Sequence, residues 1–338
     1  MLILLFLLLA PPGAAADSLY VETRPAMGTD FSFYLYASDA QKAASLFEVA
    51  FAEVERVEAL LSTYRPTSEF SRLNRDAARE AVTLSPEVFA LLNRVLRFSE
   101  ETGGAFDPTV GALVDAWGFF RGKGRLPDEA SLAEARAHTG WKHVLLAPAT
   151  RSLRFDIDGL RLDPGAFGKG YALDRIADLF RSAQVTAALL RAGGSTHLAL
   201  GAPPGKEGWP IVLASLSDPQ HPVATILLRD QSISTSGDEV RFFELNGRRY
   251  SHIIDPRTGD PVEGILQTTV IAPSAETADL LSTAVFVLGP DAAETFLERH
   301  PGTGALLVIG QRAAPITRTI RWPASLMPAA SIPSHTDW

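Results

Sequence analysis

An aspartate and a threonine four residues apart could bind a divalent cation in residues 278–284 (ADLLSTA). Asp279 and Thr283 stand at i and i+4 of an expected helix, so their side-chain oxygens share one face. A carboxylate and a hydroxyl, completed by carbonyl and phosphate oxygens, suit Mg²⁺, which prefers oxygen ligands. The alternative is a capped helix in which Thr283 bonds back to Asp279 without any metal.

A glycine-rich segment with one lysine, residues 163–174 (DPGAFGKGYALD), suits an anion. It leads into a helix with an apolar stripe, so its backbone N–H groups and the helix N-terminus would point at a bound phosphate. The spacing differs from that of a P-loop and from the Rossmann fingerprint. A structural loop with a solvated Lys169 is the alternative interpretation.

Two further places could contribute to a site. Gly193 and Gly194 follow an apolar strand and either allow a ligand to approach the backbone or form a bulge. His252 precedes an Asp-Pro turn near the end of an expected strand, where it is either a site residue or a histidine that stabilises the turn. A hydroxyl-rich segment, residues 234–238 (STSGD), precedes the same hairpin.

Composition excludes several other classes of protein. The 338 residues include no cysteine, which excludes disulfides, iron–sulfur clusters, thiolate zinc sites and a cysteine nucleophile. The net charge of -8 argues against a protein that binds the phosphate backbone of nucleic acid. The other histidines show no ligand-like pairing, and no G-x-S-x-G elbow of a serine hydrolase occurs.

The elements that must position these residues follow an α+β pattern, with helices early and strands later. Residues 31–36 alternate as a half-buried strand, and residues 47–61 have helical periodicity. A helix begins near Ser85 and ends at the Gly103-Gly104 pair. Two-residue turns predict hairpins at Asp158-Gly159 and Asn246-Gly247. Further strands are expected at 187–190, 211–214, 224–228, 268–272 and 305–309, and further helices at 170–180, 277–288 and 292–299.

Both ends of the chain differ in composition from the rest. Residues 1–10 are almost wholly apolar but too few to span a bilayer, and a small-x-small pattern precedes Asp17. Residues 1–16 are therefore expected to be a cleaved signal peptide, with an uncleaved anchor as the alternative. The mature protein is expected to be exported and not to span the membrane. Residues 313–338 form a Pro-rich tail that we expect to be poorly structured.

Taken in their order along the chain, the candidate site segments described above resemble those of the ApbE family of FAD:protein FMN transferases. The resemblance runs from about Met27 to Gly289. It implies one α+β domain over residues 17–312, with mostly antiparallel and mixed sheets, packed helices and an FAD cleft between two lobes. The matching segments are MGT at 27–29, LSTY at 61–64, FDPTVG at 106–111, KGYALD at 169–174, SHIIDPRTG at 251–259 and ADLLSTA at 278–284.

The resemblance also implies site residues. Mg²⁺ would be held by Asp279, the Thr283 hydroxyl and the Ala166 carbonyl. Lys169 would be the cation at the phosphates, and His252 is the expected general base. The residues expected to bind FAD are Met27, Tyr64, Ala105, Phe106, Asp107, Asp163, Lys169, Gly193, Gly194, Ser236 and His252. Pro164 and Phe167 depart from the family pattern D-L-G-x-I-A-K-G, which affects the geometry of this loop.

The implied activity is Mg²⁺-dependent transfer of FMN from FAD to a threonine, with release of AMP. The acceptor would be a flavoprotein subunit of a membrane redox complex, with the threonine in an S/T-G-A-T-like motif. Many family members carry a lipid-anchoring cysteine; its absence here favours a free periplasmic enzyme. The alternatives are hydrolysis of FAD to FMN and AMP, and a non-enzymatic FAD carrier, for example in nitrous-oxide-reductase maturation. The pair Asp279 and Thr283 argues against a pure carrier.

Overall fold

A computed structural model describes residues 17–120, 122, 124–216, 222–238 and 241–323. The chain combines helices with antiparallel sheets, as the sequence predicts. The strands are β1 (Ser18–Ala26), β2 (Thr29–Ala37), β3 (Val82–Thr83), β4 (Val144–Ala147), β5 (Ser152–Phe155), β6 (Ala188–Ala192), β7 (Thr196–Leu200), β8 (Trp209–Leu213), β9 (Ala224–Leu228), β10 (Ser232–Gly237), β11 (Phe242–Leu245), β12 (Arg248–Ser251), β13 (Ile265–Ala272), β14 (Gly304–Gln311) and β15 (Ala314–Ile320).

The helices confirm the periodicity of the sequence. They are α1 (Ala40–Leu61), α2 (Glu69–Asp76), α3 (Pro86–Glu101), α4 (Gly111–Ala116), α5 (Glu129–Ala137), α6 (Gly168–Ser182) and α7 (Ala275–Leu297). The start of α3 shows why such helices form where they do. Pro86 occupies its first turn, and the Ser85 hydroxyl accepts a 3.3 Å hydrogen bond from the Val88 N–H.

Within the described ranges, the main sheet has eight strands in the order β1-β2-β6-β7-β10-β13-β14-β15, and each pairing is antiparallel. Helices α1, α6 and α7 pack on one face. Phe31, Phe33 and Leu35 alternate inward from β2 and are fully buried in that layer. The β8–β9 hairpin covers the other face, with Trp209 buried in its core. The α+β prediction is confirmed, and the division into two lobes stays a prediction.

The hairpin predicted at Asp158-Gly159 is wrong. Strand β5 pairs instead with β4 and β3 in a three-stranded sheet. Gly159 does turn the chain, with φ of 76°, but the residues after it do not form a strand. The side-chain amide of Asn74 bonds both to the Leu162 N–H at 2.7 Å and to its carbonyl at 2.9 Å. A side chain therefore satisfies the backbone groups that a hairpin would have paired.

The hairpin at Asn246-Gly247 is confirmed, since β11 and β12 pair across it. The unstructured tail is wrong for its first part. Residues Ala314–Ile320 form β15, which pairs along its length with β14, so a boundary at residue 312 divides a hairpin. Pro315 is tolerated there because β15 is an edge strand. Residues 1–16 and 324–338 lie outside the described residues, and the signal peptide stays a prediction.

The two helices predicted at 277–288 and 292–299 correspond to two helical parts of α7. They are separated by Gly289, whose φ of 73° and ψ of 172° are not helical, and by Pro290 after it. By length and composition α7 could cross a membrane, but more than half of its most apolar window is buried within the protein. It also packs against β10 and β13, as expected for a core helix. Its first turns carry Asp279 and Thr283, so the core helix also presents the candidate site.

Candidate active site

Asp279 is a buried carboxylate in the second turn of α7, and its side chain bonds with three other elements. Its Oδ2 accepts a 3.1 Å hydrogen bond from the Gly170 N–H in the first turn of α6. Its Oδ1 accepts from the Ser234 hydroxyl at 3.1 Å and from the Thr196 hydroxyl at 3.4 Å. The residue is 4% exposed, so packing and hydrogen bonds fix its position.

Lys169 lies beside this carboxylate at the start of α6. Its ammonium donates a 3.1 Å hydrogen bond to the Gly165 carbonyl and lies 3.8 Å from Asp279 Oδ1. The N-cap residue of α6, Phe167, makes no side-chain capping bond. The helix N-terminus thus carries an ammonium group and partial positive charge next to a single buried carboxylate. This arrangement suits phosphate together with a cation.

The carbonyl of Ala166 lies just before α6, one residue ahead of the N-cap residue Phe167. The Gly170 N–H is one of the first N–H groups of α6, which have no partner within the helix, and it bonds to Asp279. Among the described residues no hydrogen bond to the Ala166 carbonyl is formed. The sequence identified this carbonyl only through the family resemblance. Its lack of a donor among those residues gives an independent reason why it could bind a metal ion.

Hydroxyl groups continue the polar surface from Asp279 to Thr283. The Ser236 hydroxyl, on β10, hydrogen-bonds with Ser282 at 2.9 Å and with the Thr283 hydroxyl at 3.3 Å. Ser282 also donates to the Asp279 carbonyl at 3.0 Å. The structure therefore brings the predicted residues Ser236, Asp279 and Thr283 together at one end of α7.

This donor set fits Mg²⁺ better than a softer metal. Within the described part of the chain, no group of three His, Cys, Asp or Glu side chains could hold a metal ion. Asp279, the Thr283 hydroxyl and the Ala166 carbonyl supply oxygen only, with a single carboxylate. Mg²⁺ is commonly bound in this way, by one or two carboxylates plus substrate phosphates and water.

His252 follows β12 and is held by main-chain contacts to Arg241. Its Nδ1 lies 3.0 Å from the Arg241 carbonyl, which also accepts the His252 backbone N–H. Because a carbonyl only accepts, Nδ1 carries the proton and Nε2 keeps its lone pair. Burial lowers the pKa of His252 to about 4, and the charges of Arg241 and Lys169 act in the same direction. The imidazole is therefore neutral at pH 7.

Asp163 begins the glycine-rich loop. Its Oδ1 accepts the Gly165 N–H at 2.7 Å, and its backbone N–H donates to the Pro108 carbonyl at 2.7 Å. Burial raises the pKa of the Asp163 carboxyl, whereas the Gly165 hydrogen bond and the charge of Lys169 oppose that rise. Lys169 thus acts electrostatically on Asp163 and on His252, in addition to Asp279. Three predicted site residues therefore lie within electrostatic range of one ammonium group.

Met27 and the Gly193-Gly194 pair lie at neighbouring turns. Met27 turns the chain between β1 and β2 with φ of 49°, and its Cε would lie 3.5 Å from a Cβ added at Gly168. The Gly193 N–H donates to the Asp30 carbonyl at 2.7 Å. A Cβ added at Gly193 would lie 2.5 Å from Thr29 Oγ1, whereas one at Gly194 would meet nothing within 4 Å. Gly194 is therefore the more open of the two to a ligand.

Three predicted FAD-binding residues have side chains that are buried and packed or hydrogen-bonded within the protein. Ala105 and Phe106 are 1% and 2% exposed, so only their main chain could contact a ligand. Both carboxylate oxygens of Asp107 are used, by the N–H and hydroxyl of Thr109 at 2.8 and 2.6 Å and by the Trp141 N–H at 2.8 Å. Asp107 borders a surface cavity of about 460 Å³ whose lining does not include Lys169, Asp279 or His252.

Tyr64 is 51% exposed and stacks on Phe120, with ring centroids 5.2 Å apart and 21° between the ring planes. The sequence prediction included Tyr64 but missed Phe120, although the aromatic run at 117–120 (WGFF) was a signal. It did not assign Thr196, Ser234 or Ser282 to the site individually, although the segments 234–238 and 278–284 stood out. Strand pairing brings Thr196 and Ser234 to Asp279, whereas Ser282 lies three residues after Asp279 on α7.

Comparison with known proteins fits this geometry. The sequence model of the ApbE family matches residues 27–307. The chain belongs to the ApbE family. The FAD:protein FMN transferase of Treponema pallidum is 34% identical over 287 residues, covering 80% of this chain and 78% of that protein. The enzyme of the same name from Vibrio cholerae is 34% identical over 292 residues, covering 84% and 86%.

Solved ApbE structures have the same fold. The apo flavinyl transferase ApbE of Pseudomonas stutzeri matches with a TM-score of 0.81 and 31% identity, covering 94% of this chain and 99% of that one. The ApbE protein of Thermotoga maritima matches with a TM-score of 0.82 and 30% identity, covering 90% and 97%.

The departures from the ApbE loop pattern are accommodated locally. The Pro164 carbonyl accepts the N–H groups of Phe167 and Gly168, at 3.2 and 2.8 Å, and so leads into α6. Phe167 is fully buried and packs near Phe70, with centroids 6.3 Å apart. The larger side chain therefore points into the core, away from Lys169 and its contact with Asp279.

Proposed function

We propose that this protein is an FAD:protein FMN transferase that uses Mg²⁺ to move FMN from FAD to a threonine hydroxyl of an exported flavoprotein, releasing AMP. Membership of the ApbE family assigns the coarse activity, flavin transfer by an enzyme. The observation that carries the finer proposal is the buried Asp279 carboxylate, 3.8 Å from Lys169 at the N-terminus of α6. It combines a position for a metal ion with a position for phosphate.

Asp279, the Thr283 hydroxyl and the Ala166 carbonyl are the residues that would hold Mg²⁺. When bound, the ion would offset negative charge on the pyrophosphate of FAD. Lys169 contributes a second positive charge, and the first turn of α6 contributes backbone N–H groups. These groups are fixed before the substrate arrives, so little reorganisation is needed as charge develops during transfer.

The transfer forms a bond between the threonine oxygen and the FMN phosphorus and breaks the bond from that phosphorus to the AMP oxygen. AMP leaves as a phosphate monoester. His252 Nε2 is the proposed acceptor of the threonine proton, because its lone pair is free when Nδ1 donates to the Arg241 carbonyl. The phosphates of bound FAD would raise the pKa of this imidazole from about 4, which strengthens it as a base.

Tyr64 and Phe120 are the proposed contact for the flavin ring. Two partly exposed aromatic side chains that stack on one another offer flat apolar surface, which suits the isoalloxazine group. Flavin is a substrate here, so this contact has to bind the ring and does not have to tune its redox potential. The periplasm is the proposed location, on the strength of the leader sequence and the absence of cysteine.

One experiment separates transfer from its rivals. Purified protein is incubated with FAD, Mg²⁺ and a peptide that carries a threonine in an S/T-G-A-T-like motif. A mass gain on the peptide equal to the FMN moiety supports transfer, and a peptide with valine in place of threonine is the control. Free FMN and AMP with unmodified peptide would identify a hydrolase. Binding of FAD without its turnover would identify a carrier.

A further inference from the structure

Asp174 lies on α6 but binds the N-terminus of α7. Its Oδ1 accepts the Ala275 N–H at 2.8 Å, and its Oδ2 accepts the Glu276 N–H at 2.8 Å. The first N–H groups of a helix have no partner within the helix, and a carboxylate is the acceptor best suited to them. Asp174 thus attaches the start of one helix to the side of another.

The cap of α7 shows that Asp174 does more than complete a helix end. Ser274 is the N-cap residue, and its hydroxyl already accepts the Thr277 N–H at 3.2 Å. The carboxylate of Glu276 is turned to Arg94, which donates to both of its oxygens at 2.9 and 2.7 Å. The first turn of α7 therefore has its own N-cap and a separate ion pair. Asp174 adds a hydrogen-bonded link from α6 to α7.

A second carboxylate makes the reverse link. Asp279 on α7 accepts the Gly170 N–H from the first turn of α6, one turn before Asp174. Each helix therefore supplies a carboxylate to the N-terminus of the other. The pair can approach closely because Gly170 has no side chain: a Cβ there would overlap the Ala275 carbonyl. The position of Asp279 beside Lys169 depends on this close crossing.

We propose that Asp174 is a positioning residue, which holds α7 against α6 so that Asp279 stands where the metal ion of the proposed function would bind. This inference rests on that proposed function. Asp174 does not contact the metal ligands; it acts through the main chain of Ala275 and Glu276, one turn before Asp279. An asparagine at this place keeps the size of the side chain but accepts only one of the two N–H groups.

The test is metal binding, with Mn²⁺ as a paramagnetic probe for the Mg²⁺ site. Free Mn²⁺ is measured by electron paramagnetic resonance in the presence of FAD, for the parent protein, Asp174→Asn and Asp178→Asn. Asp178 is the matched control, since it lies one turn later on α6 with a side chain 59% exposed. We expect Asp174→Asn to weaken Mn²⁺ binding by about 10-fold, the effect typical of losing a group that orients a metal ligand, and Asp178→Asn to leave it unchanged.

A second readout separates positioning from general damage. Raising Mg²⁺ should restore most of the turnover of Asp174→Asn, because the ligands remain and only their placement has weakened. Parent-like Mn²⁺ binding by a folded Asp174→Asn overturns the inference while the proposed function stands. Failure of the parent itself to bind Mn²⁺ with FAD overturns both. If Asp174→Asn does not fold, Asp174→Ser, which keeps one short acceptor, is measured against the same criteria.

Discussion

The main-chain N–H of Gly170 donates a 3.1 Å hydrogen bond to Oδ2 of Asp279, across the crossing of α6 and α7. This bond, with those from Ser234 and Thr196, holds the carboxylate of the proposed metal site beside the N-terminus of α6. The close crossing of the two helices explains why a glycine follows Lys169: a Cβ at residue 170 would overlap the Ala275 carbonyl of α7.

Gly170→Ala should destabilise the protein. The added Cβ overlaps the Ala275 carbonyl, which is main chain and cannot rotate away, so the helices must separate. Overpacking of this kind costs about 1–3 kcal/mol in the free energy of unfolding, measured by urea denaturation. Gly194→Ala is the control, since a Cβ there meets nothing within 4 Å. Equal stability of the two variants would show that the crossing can widen freely.

Asp279→Asn should abolish most metal-dependent turnover of FAD. The amide keeps the shape of the side chain but removes the charge that attracts the cation, and metal stabilisation of the reacting phosphate is worth several kcal/mol. We expect a loss of about 100-fold or more at fixed Mg²⁺. Turnover is measured as AMP release with and without Mg²⁺. An unchanged response to Mg²⁺ would contradict the assignment of Asp279 as a ligand.

The sequence predicted those parts of the site that depend on local spacing. The i, i+4 relation of Asp279 and Thr283 follows from helical periodicity, and α7 has that periodicity through both residues. Contacts that depend on strand pairing could not be predicted in this way. Ser234 and Thr196 reach Asp279 because β10 pairs with β7, and no short segment of sequence encodes that pairing.

The error at residues 158–159 has the same origin. The glycine predicts the turn correctly, but no strand follows it, because Asn74 on α2, 88 residues before Leu162, bonds to the Leu162 backbone. The carboxylate of Asp107, a predicted FAD-binding residue, accepts from Thr109 nearby and from Trp141, 34 residues away. Its role in FAD binding stays a prediction. Local composition could not identify Asn74 or Trp141 as partners, because both come from distant segments of the chain.

Phe120→Leu and Tyr64→Leu should each weaken FAD binding. Each ring would form an aromatic contact with the flavin, and such a pair contributes about 0.5–1.5 kcal/mol beyond its buried area. This range corresponds to a roughly 2- to 10-fold rise in Kd, measured by quenching of flavin fluorescence. Phe242→Leu is the control, because that ring is also partly exposed, at 38%, and packs against the Arg249 guanidinium. An effect of the control as large as that of Phe120→Leu would refute a specific flavin contact.

Asp174 should make stability depend on pH. Burial raises the pKa of its carboxyl from 3.8 to about 6, while the N–H groups of Glu276 and Ala275 oppose the rise and the charges of Glu276 and Asp178 add to it. The folded state therefore holds this proton more tightly than the unfolded state. Protonation of Asp174 therefore contributes to the free energy of unfolding. This contribution is fully present below pH 4 and is lost as the pH rises through 6.

The comparison with Asp174→Asn isolates this group from the others that titrate. Between pH 4 and pH 7 the free energy of unfolding of the parent should fall, relative to the variant, by up to about 3 kcal/mol. Urea denaturation at a series of pH values measures the difference. A difference that does not change with pH would mean that the Asp174 carboxyl titrates alike in the folded and unfolded states.

His252 should set an acidic limb in the pH profile of catalysis. Burial lowers the pKa of its imidazole to about 4, and the nearby cations Arg241 and Lys169 add to the effect. The proposed base is active only when Nε2 is unprotonated, so kcat/KM should rise with pH through about 4 and stay level from 5 to 8. Because kcat/KM reports the free enzyme, the ligand-free environment is the relevant one. His252→Gln should lower the rate and remove this limb. A limb that persists in the variant would rule out His252 as the base, whereas a limb near 6.5 in the parent would contradict the lowered pKa.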